Sequence, residues 1–276
     1  MAFLNGNGGF TGSLGNLTAY QPKGSDKIIL RTKGGANKKR IKKDPKFARV
    51  RSNNEEFGSC SKMAAYLRGK LYPFVNMVDH NLNAAFSALN KTIQLLDTTN
   101  PPGQRSIRYS QHPYLLVNYA FNQRFGFDAM LRYPLQAVLD RERATARLLI
   151  PTLQPGIHLH FPWQLPYYRL IVHFFLLCDL VHDGRHYAVE EARQTDAYCP
   201  LFVSDWLPVN TTRPGEELLL PIQKHLPTKP TTTIPFPLEE QHSLVLAAGI
   251  QMGKPGPGDT IQETKYCGTG KILAVG

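Results

Sequence analysis

The longest apolar stretch of the chain, LIVHFFLLCDLV at positions 170–181, decides the fold. It is interrupted by His173 and Asp179, and it falls far short of the roughly 20 apolar residues that a membrane-spanning helix requires. A short apolar run bounded by turn residues is typical of a strand that is buried on both faces. We therefore predict a buried strand here and no insertion of the chain into a membrane.

Further short apolar runs follow Gly103, and prolines, glycines and aspartates separate them. They lie at residues 135–139, 144–153, 218–222, 243–252 and 271–275. Within residues 144–150, Ala146, Leu148 and Ile150 alternate with the other side chains, as in a strand with one face in a core. Many short strands with turn signals between them indicate an antiparallel β-sandwich, immunoglobulin-like or jelly-roll-like.

A helical pattern precedes these strands. Asp44 and Pro45 provide an N-cap and a first-turn proline, and apolar residues then recur at spacings of three, four or seven as far as Leu71. Pro73 interrupts the pattern, because proline breaks or kinks a helix, and a second apolar stripe follows it. We predict one kinked helix or two consecutive helices between about residues 44 and 97.

The N-terminus is predicted to form an arm. Residues 1–13 contain four glycines and two asparagines, a composition that favours turns. Two β-prone segments, residues 14–20 and 27–33, flank a Pro/Gly/Ser/Asp turn and predict a β-hairpin, followed by a basic linker at residues 34–43. Because an isolated hairpin is only marginally stable in water, this one should lie against its own chain or a neighbouring copy.

These patterns predict an α+β chain that is mainly β. It would consist of a Gly-rich, basic N-terminal arm with a β-hairpin at residues 1–43, a helical segment at 44–103, and a β-sandwich domain at 104–276. The arm contains no apolar segment of the kind found in secretory signal peptides. We expect synthesis in the cytoplasm without a classical signal peptide, and leave a virion or an extracellular assembly open as the final location.

The excess positive charge is confined to about one fifth of the chain. Residues 21–70 contain 15 Lys/Arg and 4 Asp/Glu, whereas the other residues contain 17 of each sign, so that segment carries the whole net charge of +11. A basic element on a neutral body indicates an acidic partner. Nucleic acid, an anionic surface and an acidic patch on another copy are all compatible with this distribution.

The sequence carries no recognisable catalytic motif. Gly268–Lys271 lacks the first glycine and the Ser/Thr of a phosphate-binding loop, and the four cysteines include no CxxC pair. His158 and His160 would share a strand face, but a zinc site requires further ligands that the sequence does not identify. We predict no catalytic residue, no cofactor and no metal site, and therefore a protein that is not an enzyme.

Several short motifs are spread along the chain: TGSLGNLTAY (11–20), Gly24, ILR (29–31), DPKFAR (44–49), YAFN (119–122), VLDR (138–141), LIP (149–151) and LAAGI (246–250). These motifs resemble those of a large family of uncharacterised Bacteroidota proteins. The resemblance covers most of the chain and implies an N-terminal Gly-Asn hairpin motif and a C-terminal β-sandwich, but no catalytic residue. The proline-rich segment 208–237 departs from the family pattern, and we expect a loop-rich connection there.

We expect a non-enzymatic structural subunit that assembles with other copies of itself, through its N-terminal arm, into a filament, sheath or phage-like particle. The residues expected to pack against a neighbour are Leu14, Leu17, Tyr20, Ile28 and Leu30. The residues expected to make charge contacts are Lys38, Lys39, Arg40, Lys42 and Lys43. The alternative is a nucleic-acid-binding protein that uses the basic segment 23–70. An enzyme with a site assembled from loops is a third possibility.

Overall fold

A computed structural model describes residues 2–4, 9–22, 26–189, 197–226 and 229–276. Antiparallel strands predominate over helices, which confirms the predicted mainly β fold class with antiparallel sheets. The strands are β1 (Ala2–Leu4), β2 (Phe10–Leu14), β3 (Leu17–Tyr20), β4 (Ile29–Thr32), β5 (Gln136–Asp140), β6 (Thr145–Ile150), β7 (Tyr167–Cys178), β8 (Leu180–His182), β9 (Tyr187–Val189), β10 (Ala197–Tyr198), β11 (Leu201–Val203), β12 (Leu207–Pro208), β13 (Glu216–Pro221), β14 (Gln223–Leu226), β15 (Lys229–Pro235), β16 (His242–Pro255) and β17 (Ile261–Val275). The α-helices are α1 (Lys38–Lys43), α2 (Ala48–Lys70), α3 (Leu82–Leu96) and α4 (Phe127–Met130), with 3₁₀ turns at Pro45–Phe47, Tyr72–Met77 and Pro113–Leu115.

Contacts along the chain divide it into two compact units, Met1–Arg51 and Ser52–Gly276, which we call the N-terminal unit and the body. This division differs from the boundaries predicted at residues 43 and 103. Buried residues of α2 and α3 belong to the same hydrophobic cluster as those of the strands. Whether residues 104–276 fold without the helices stays a prediction.

The centre of the body is the antiparallel pair β7–β16, in which twelve residues of each strand are paired, from Tyr167 with Gly253 to Cys178 with His242. β17 pairs with the other edge of β16, and β11 and β12 pair with β7. Because successive side chains of a strand point to opposite faces, and nearly all those of both strands are buried, each face of this pair is covered. The buried strand predicted from residues 170–181 is thus confirmed, although Asp179 separates β7 from β8.

The helical segment approaches this sheet at glycines. A Cβ atom on Gly249 would lie 3.0 Å from both the Met77 sulfur and a Phe74 ring carbon, and one on Gly268 would lie 3.0 Å from Met77 Cγ. Larger residues would therefore push the 3₁₀ turn at Tyr72–Met77 away from the strands. The break predicted at Pro73 is confirmed, since α2 ends before it and α3 begins after it.

A second antiparallel sheet of the body has the order β13–β6–β5. Ala146, Leu148 and Ile150 on β6 are buried in the hydrophobic cluster, as their alternation predicts. The expectation of a loop-rich connection at residues 208–237 was wrong: this segment contains β13, β14 and β15, and β14 and β15 form a sheet with β10. Prolines are tolerated there because Pro221, Pro230 and Pro235 lie on strands at the edge of these sheets or at strand ends.

The N-terminal unit contains a four-stranded meander, β1–β2–β3–β4, which we call the arm sheet. The hairpin predicted from residues 14–20 and 27–33 is present as β3 and β4, but the single strand predicted at 14–20 was wrong. Gly15 has a positive φ of 53° and, with Asn16, turns the chain so that Leu14 pairs with Leu17. The glycine-rich start and the predicted hairpin turn lie partly outside the described residues.

The basic linker predicted at residues 34–43 also needs correction, because it contains α1. The Asn37 side-chain oxygen accepts a hydrogen bond from Arg40 N at 2.8 Å and caps the helix start. Basic residues in the last turn favour a helix electrostatically. The predicted cap at Asp44 is confirmed, and its carboxylate accepts from Lys46 N at 3.0 Å at the 3₁₀ turn that follows.

A buried carboxylate joins α2, α3 and the segment after α3. Glu56 accepts a hydrogen bond from Gly103 N at 2.8 Å, pairs with Lys91, and lies 3.4 Å from Arg105 Nε. Burial by itself would raise the pKa of Glu56, but the Gly103 N–H and the two cations outweigh it and hold the pKa below the ordinary value. Gln94 extends the network by donating to Ser59 Oγ at 2.9 Å.

We expect Glu56→Gln to destabilise the folded chain by about 1.5–3 kcal/mol, the usual range for a lost hydrogen bond to a charged group. Because the folded-state pKa of Glu56 is lowered, its contribution is present above the ordinary pKa of 4.5 and is lost as the pH falls through the folded value. The wild type should therefore lose its advantage over the variant in acid. Urea unfolding between pH 3 and pH 7, on the order of the range where carboxylates titrate, measures both effects.

Glu55→Gln is the matched control, because Glu55 is the exposed neighbour on the same helix. Equal unfolding midpoints for the two variants would contradict a stabilising role for the Glu56 network.

Candidate assembly interface

The strand register sorts the side chains of the arm sheet onto two faces, because paired residues of antiparallel strands point to the same face. Ala19 pairs with Gly12 and with Leu30, and Leu17 pairs with Leu14 and with Thr32. One face therefore presents mainly apolar side chains, and we call it the apolar arm face. Its large or apolar members are Phe10, Leu14, Leu17, Ala19 and Leu30.

The apolar arm face is exposed at Leu14 and Leu30, half-buried at Phe10 and Leu17, and buried at Ala19. Leu14 is 60% exposed and Leu30 is 54% exposed, and Ala19 is the one fully buried residue among those of the sheet whose side chains the structure describes. All four residues of β4 are exposed, and β4 pairs with β3 alone among the described strands. An amphipathic sheet with so little buried surface leaves most of its hydrophobic stabilisation unrealised.

The opposite face carries Tyr20, Ile29 and Arg31 together with hydroxyl side chains, and it makes contacts of its own. The Arg31 guanidinium lies 5.4 Å from the centre of the Tyr20 ring, and the hydroxyls of Ser13 and Thr18 are 3.4 Å apart. A cation over an aromatic ring is favourable even at an exposed site. The two faces therefore differ in composition: this one mixes Tyr20 and Ile29 with polar side chains that contact one another, whereas the large side chains of the apolar arm face are all apolar.

These positions separate the five residues predicted to pack against a neighbour. Leu14, Leu17 and Leu30 come together on the apolar arm face, and Tyr20 lies on the opposite face. Ile28 precedes β4, and its side chain lies against Gly9, where it leaves no room for a Cβ atom. Phe10 was not predicted from the sequence as a member of the apolar arm face. The Gly15–Asn16 turn is a recognised hairpin signal and would have placed Phe10 on the same face as Leu14.

The predicted charge contacts cluster on α1, which buries no residue. Arg40 Nε pairs with Asp44 at 3.2 Å. Arg51 donates hydrogen bonds to the carbonyl oxygens of Ile41 and Asp44 at 2.7 and 2.9 Å, which stabilises the C-terminal end of α1. The ammonium groups of the four α1 lysines make no hydrogen bond or ion pair with any residue that the structure describes; these lysines are Lys38, Lys39, Lys42 and Lys43.

The remaining cations of the segment 23–70 are partly engaged. Lys62 Nζ donates to the Tyr187 carbonyl oxygen at 3.3 Å, and Lys70 lies 5.5 Å from the centre of the Tyr66 ring. The N-terminal unit contains twelve Lys/Arg and two Asp/Glu, against twenty and nineteen in the body. Unneutralised positive charge is therefore concentrated in the N-terminal unit.

Several titratable side chains of the body are buried or hydrogen-bonded within it. Burial raises the pKa of the Cys60 thiol to about 11, so that it remains protonated, and burial lowers the pKa of His173 to about 4. Asp79, His80 and Tyr119 form a hydrogen-bonded chain, with 3.2 Å and 3.3 Å between successive partners. Asp79 also accepts from two backbone N–H groups, which fixes it as the anchor of a loop.

A cavity of about 450 Å³ beside α3 is lined in part by Asp97, Arg108 and His112. Asp97 accepts backbone hydrogen bonds from Thr99, Asn100 and Ser106. Burial acts to raise the pKa of Asp97, but these donors and the Asn100 side chain outweigh it and hold the pKa far below the ordinary value. This carboxylate organises the turn after α3 and is a poor proton donor or acceptor near neutral pH.

The predicted histidine pair does not gather further ligands. His158 Nδ1 accepts from Gln154 N at 3.2 Å, and its ring lies edge-on to Tyr133. Throughout the described residues, no three His, Cys, Asp or Glu side chains come close enough together to hold a metal ion.

None of the helices in the described part of the chain has the length and hydrophobicity of a membrane-spanning helix. Comparison with known proteins adds no relative, because no protein-family model matches the chain and neither a curated protein nor a solved structure does.

Proposed function

We propose that this chain is a non-enzymatic structural subunit, and that its N-terminal arm docks onto a neighbouring copy to build a filament, sheath or phage-like particle. The observation that carries the proposal is the exposed apolar arm face, with Leu14, Leu17 and Leu30 on one side of a small sheet. Such a face gains stability when a partner covers it.

The energetics favour an arm that is completed by another molecule. Burial of each large apolar side chain contributes about 1.5–3 kcal/mol before the cost of ordering the partners is subtracted. The open edge of β4 offers further main-chain hydrogen bonds, because strand addition at a sheet edge requires little of the side chains. Unprotected edges of this kind are templates for pairing with another chain.

A nucleic-acid-binding protein that uses the segment 23–70 is the second candidate. The α1 lysines favour it, since they have no counter-charge among the described residues. Contacts with phosphates give affinity that falls steeply with salt and depends little on sequence. Tyr20 is engaged with Arg31 and the Tyr66 ring with Lys70, so neither ring offers a free platform for stacking bases.

We expect Leu30→Asp to disperse assemblies into folded monomers, because it places a carboxylate on the apolar arm face, beside the open edge of β4. Ile29→Asp is the matched control: Ile29 is the preceding residue, also exposed, but it lies on the opposite face. Sedimentation velocity over a protein concentration series should show loss of assembly for Leu30→Asp alone.

The opposing account is that the arm packs against the body of its own chain. In that case Leu30→Asp would lower the melting temperature of an isolated monomer, and the wild type would not form larger species at any concentration.

Replacement of Lys38, Lys39, Arg40, Lys42 and Lys43 by Ser should change association and leave the melting temperature within a few degrees of the wild type. Exposed charges contribute only about 0–1 kcal/mol per pair to stability, whereas clustered charges steer binding strongly at low salt. Sedimentation together with a fluorescence titration against duplex DNA, each over a salt series, separates the two candidates.

For nucleic-acid binding, the slope of log affinity against log salt should shrink by about 0.9 for each phosphate that the variant no longer neutralises. If the charges instead dock onto protein, the variant should show altered self-association. Its weak DNA binding should keep the wild-type slope of log affinity against log salt. A collapse of the melting temperature with intact assembly would contradict both roles for these charges.

A further inference from the structure

We propose that the apolar arm face docks head to tail on the outer face of the β13–β6–β5 sheet in a second copy of the chain. The inference rests on the proposed function and names the surface that receives the arm. It follows from a second sheet face, in the body, that exposes apolar side chains among charged ones, and from the way charge is divided along the chain.

The register defines this outer face. Arg147 on β6 pairs with Val138 on β5 and with Leu219 on β13, so the three side chains point the same way. Leu149 lies on the same face, two residues further along β6, and the residues that alternate with these on β6 are buried. Leu219 is 65%, Val138 62% and Leu149 44% exposed, so we call this surface the acceptor face.

The two faces match in form. Each belongs to an antiparallel sheet with strands of three to six residues, and each presents leucine side chains from neighbouring strands. Two sheets pack face to face about 10 Å apart with interdigitating side chains. With strands about 4.8 Å apart and about 3.3 Å per residue, one docked pair covers less than the ~800 Å² per partner of a standard interface. Assembly should therefore depend strongly on protein concentration.

Charge favours docking of arm on body over docking of arm on arm. Pairing two N-terminal units would bring together two elements that each contain twelve cations and two anions, whereas the body is nearly neutral. Like charges brought into one interface are repulsive. The apolar arm face is therefore a poor partner for itself.

The acceptor face also offers carboxylates. Asp140 lies on the same face as Val138, and Glu217 lies two residues from Leu219. They pair with Arg143 at 3.8 Å and Arg147 at 3.2 Å, all four side chains being exposed. Exposed pairs of this kind contribute little, so lysines of an incoming arm can replace one partner at low cost.

Such a contact is heterologous, since it uses one surface on one copy and a different surface on the next. A heterologous contact leaves an unused arm at one end of every complex and an unused acceptor face at the other. Repetition gives a ring if the rotation closes and an open filament if it does not.

The test is complementation between two variants of the full chain. Leu219→Asp should retain a competent arm and lose the acceptor face, whereas Leu30→Asp should lose the arm and retain the acceptor. Each alone should remain monomeric at concentrations where the wild type assembles. Mixed in equal amounts, they should form a species of twice the 31.0 kDa chain mass that does not grow further, as measured by native mass spectrometry and sedimentation.

Ile157→Asp is the matched control, because Ile157 is 63% exposed and lies on a loop outside β5, β6 and β13, and it should assemble as the wild type does. Val138→Asp, on a different strand of the acceptor face, repeats the experiment if Leu219→Asp does not fold as judged by circular dichroism. Wild-type assembly by both acceptor variants would overturn the acceptor face and leave the proposed function standing. Monomeric variants that do not complement would also overturn it. A wild type that stays monomeric would overturn the proposed function itself.

Discussion

The fold depends on a single requirement, that the β7–β16 pair be covered on both faces. Its alternating side chains are nearly all buried, so neither face can be left to solvent without losing hydrophobic stabilisation. On one face the 3₁₀ turn at Tyr72–Met77 reaches the strand backbone at Gly249, and Tyr72 contacts His173 edge-on. The inner residues of β6 belong to the same buried cluster. The β13–β6–β5 sheet therefore has an inner face in the core and an outer face in solvent, and the outer face is the proposed acceptor face.

Features that depend on neighbouring residues could be predicted from the sequence, whereas features that depend on contacts between distant residues could not. The β7 strand and the break at Pro73 follow from local composition, and both were predicted. The Gly15–Asn16 turn was missed because it occupies only two residues within a run of β-prone ones. α1 was mistaken for a linker because it lacks an apolar stripe, although its Asn37 cap and helix-favouring lysines are local signals. The Glu56 network could not be predicted, since its partners Lys91 and Arg105 lie far along the chain.

In the candidate interface, too, local signals could be predicted, whereas features that depend on strand register could not. Composition predicted a hairpin in this segment, and the structure places Leu14, Leu17 and Leu30 on one face of the arm sheet. That this face meets a partner stays a prediction, which rests on the marginal stability of an isolated hairpin. The assignment of those residues to faces required the register, which separates Leu30 from Tyr20 although both lie in paired strands. The proposed acceptor face has no counterpart in the sequence analysis. Exposed leucines on β6 and β13 differ from buried ones only by the parity of their position, which becomes meaningful once the inner face is known.

The uneven charge has a consequence for the length of any assembly. Docking pairs some charges but removes none, so each added copy contributes its full net charge of +11 to the growing array. A linear array of this kind is a cationic polyelectrolyte, with counter-ions held along its length. Its growth should be limited at low ionic strength by its own potential and extended by multivalent anions that bridge successive repeats. The length of a polyanion such as nucleic acid would then set the length of the array. The lysines of α1 and the leucines of the arm sheet would both contribute to this assembly.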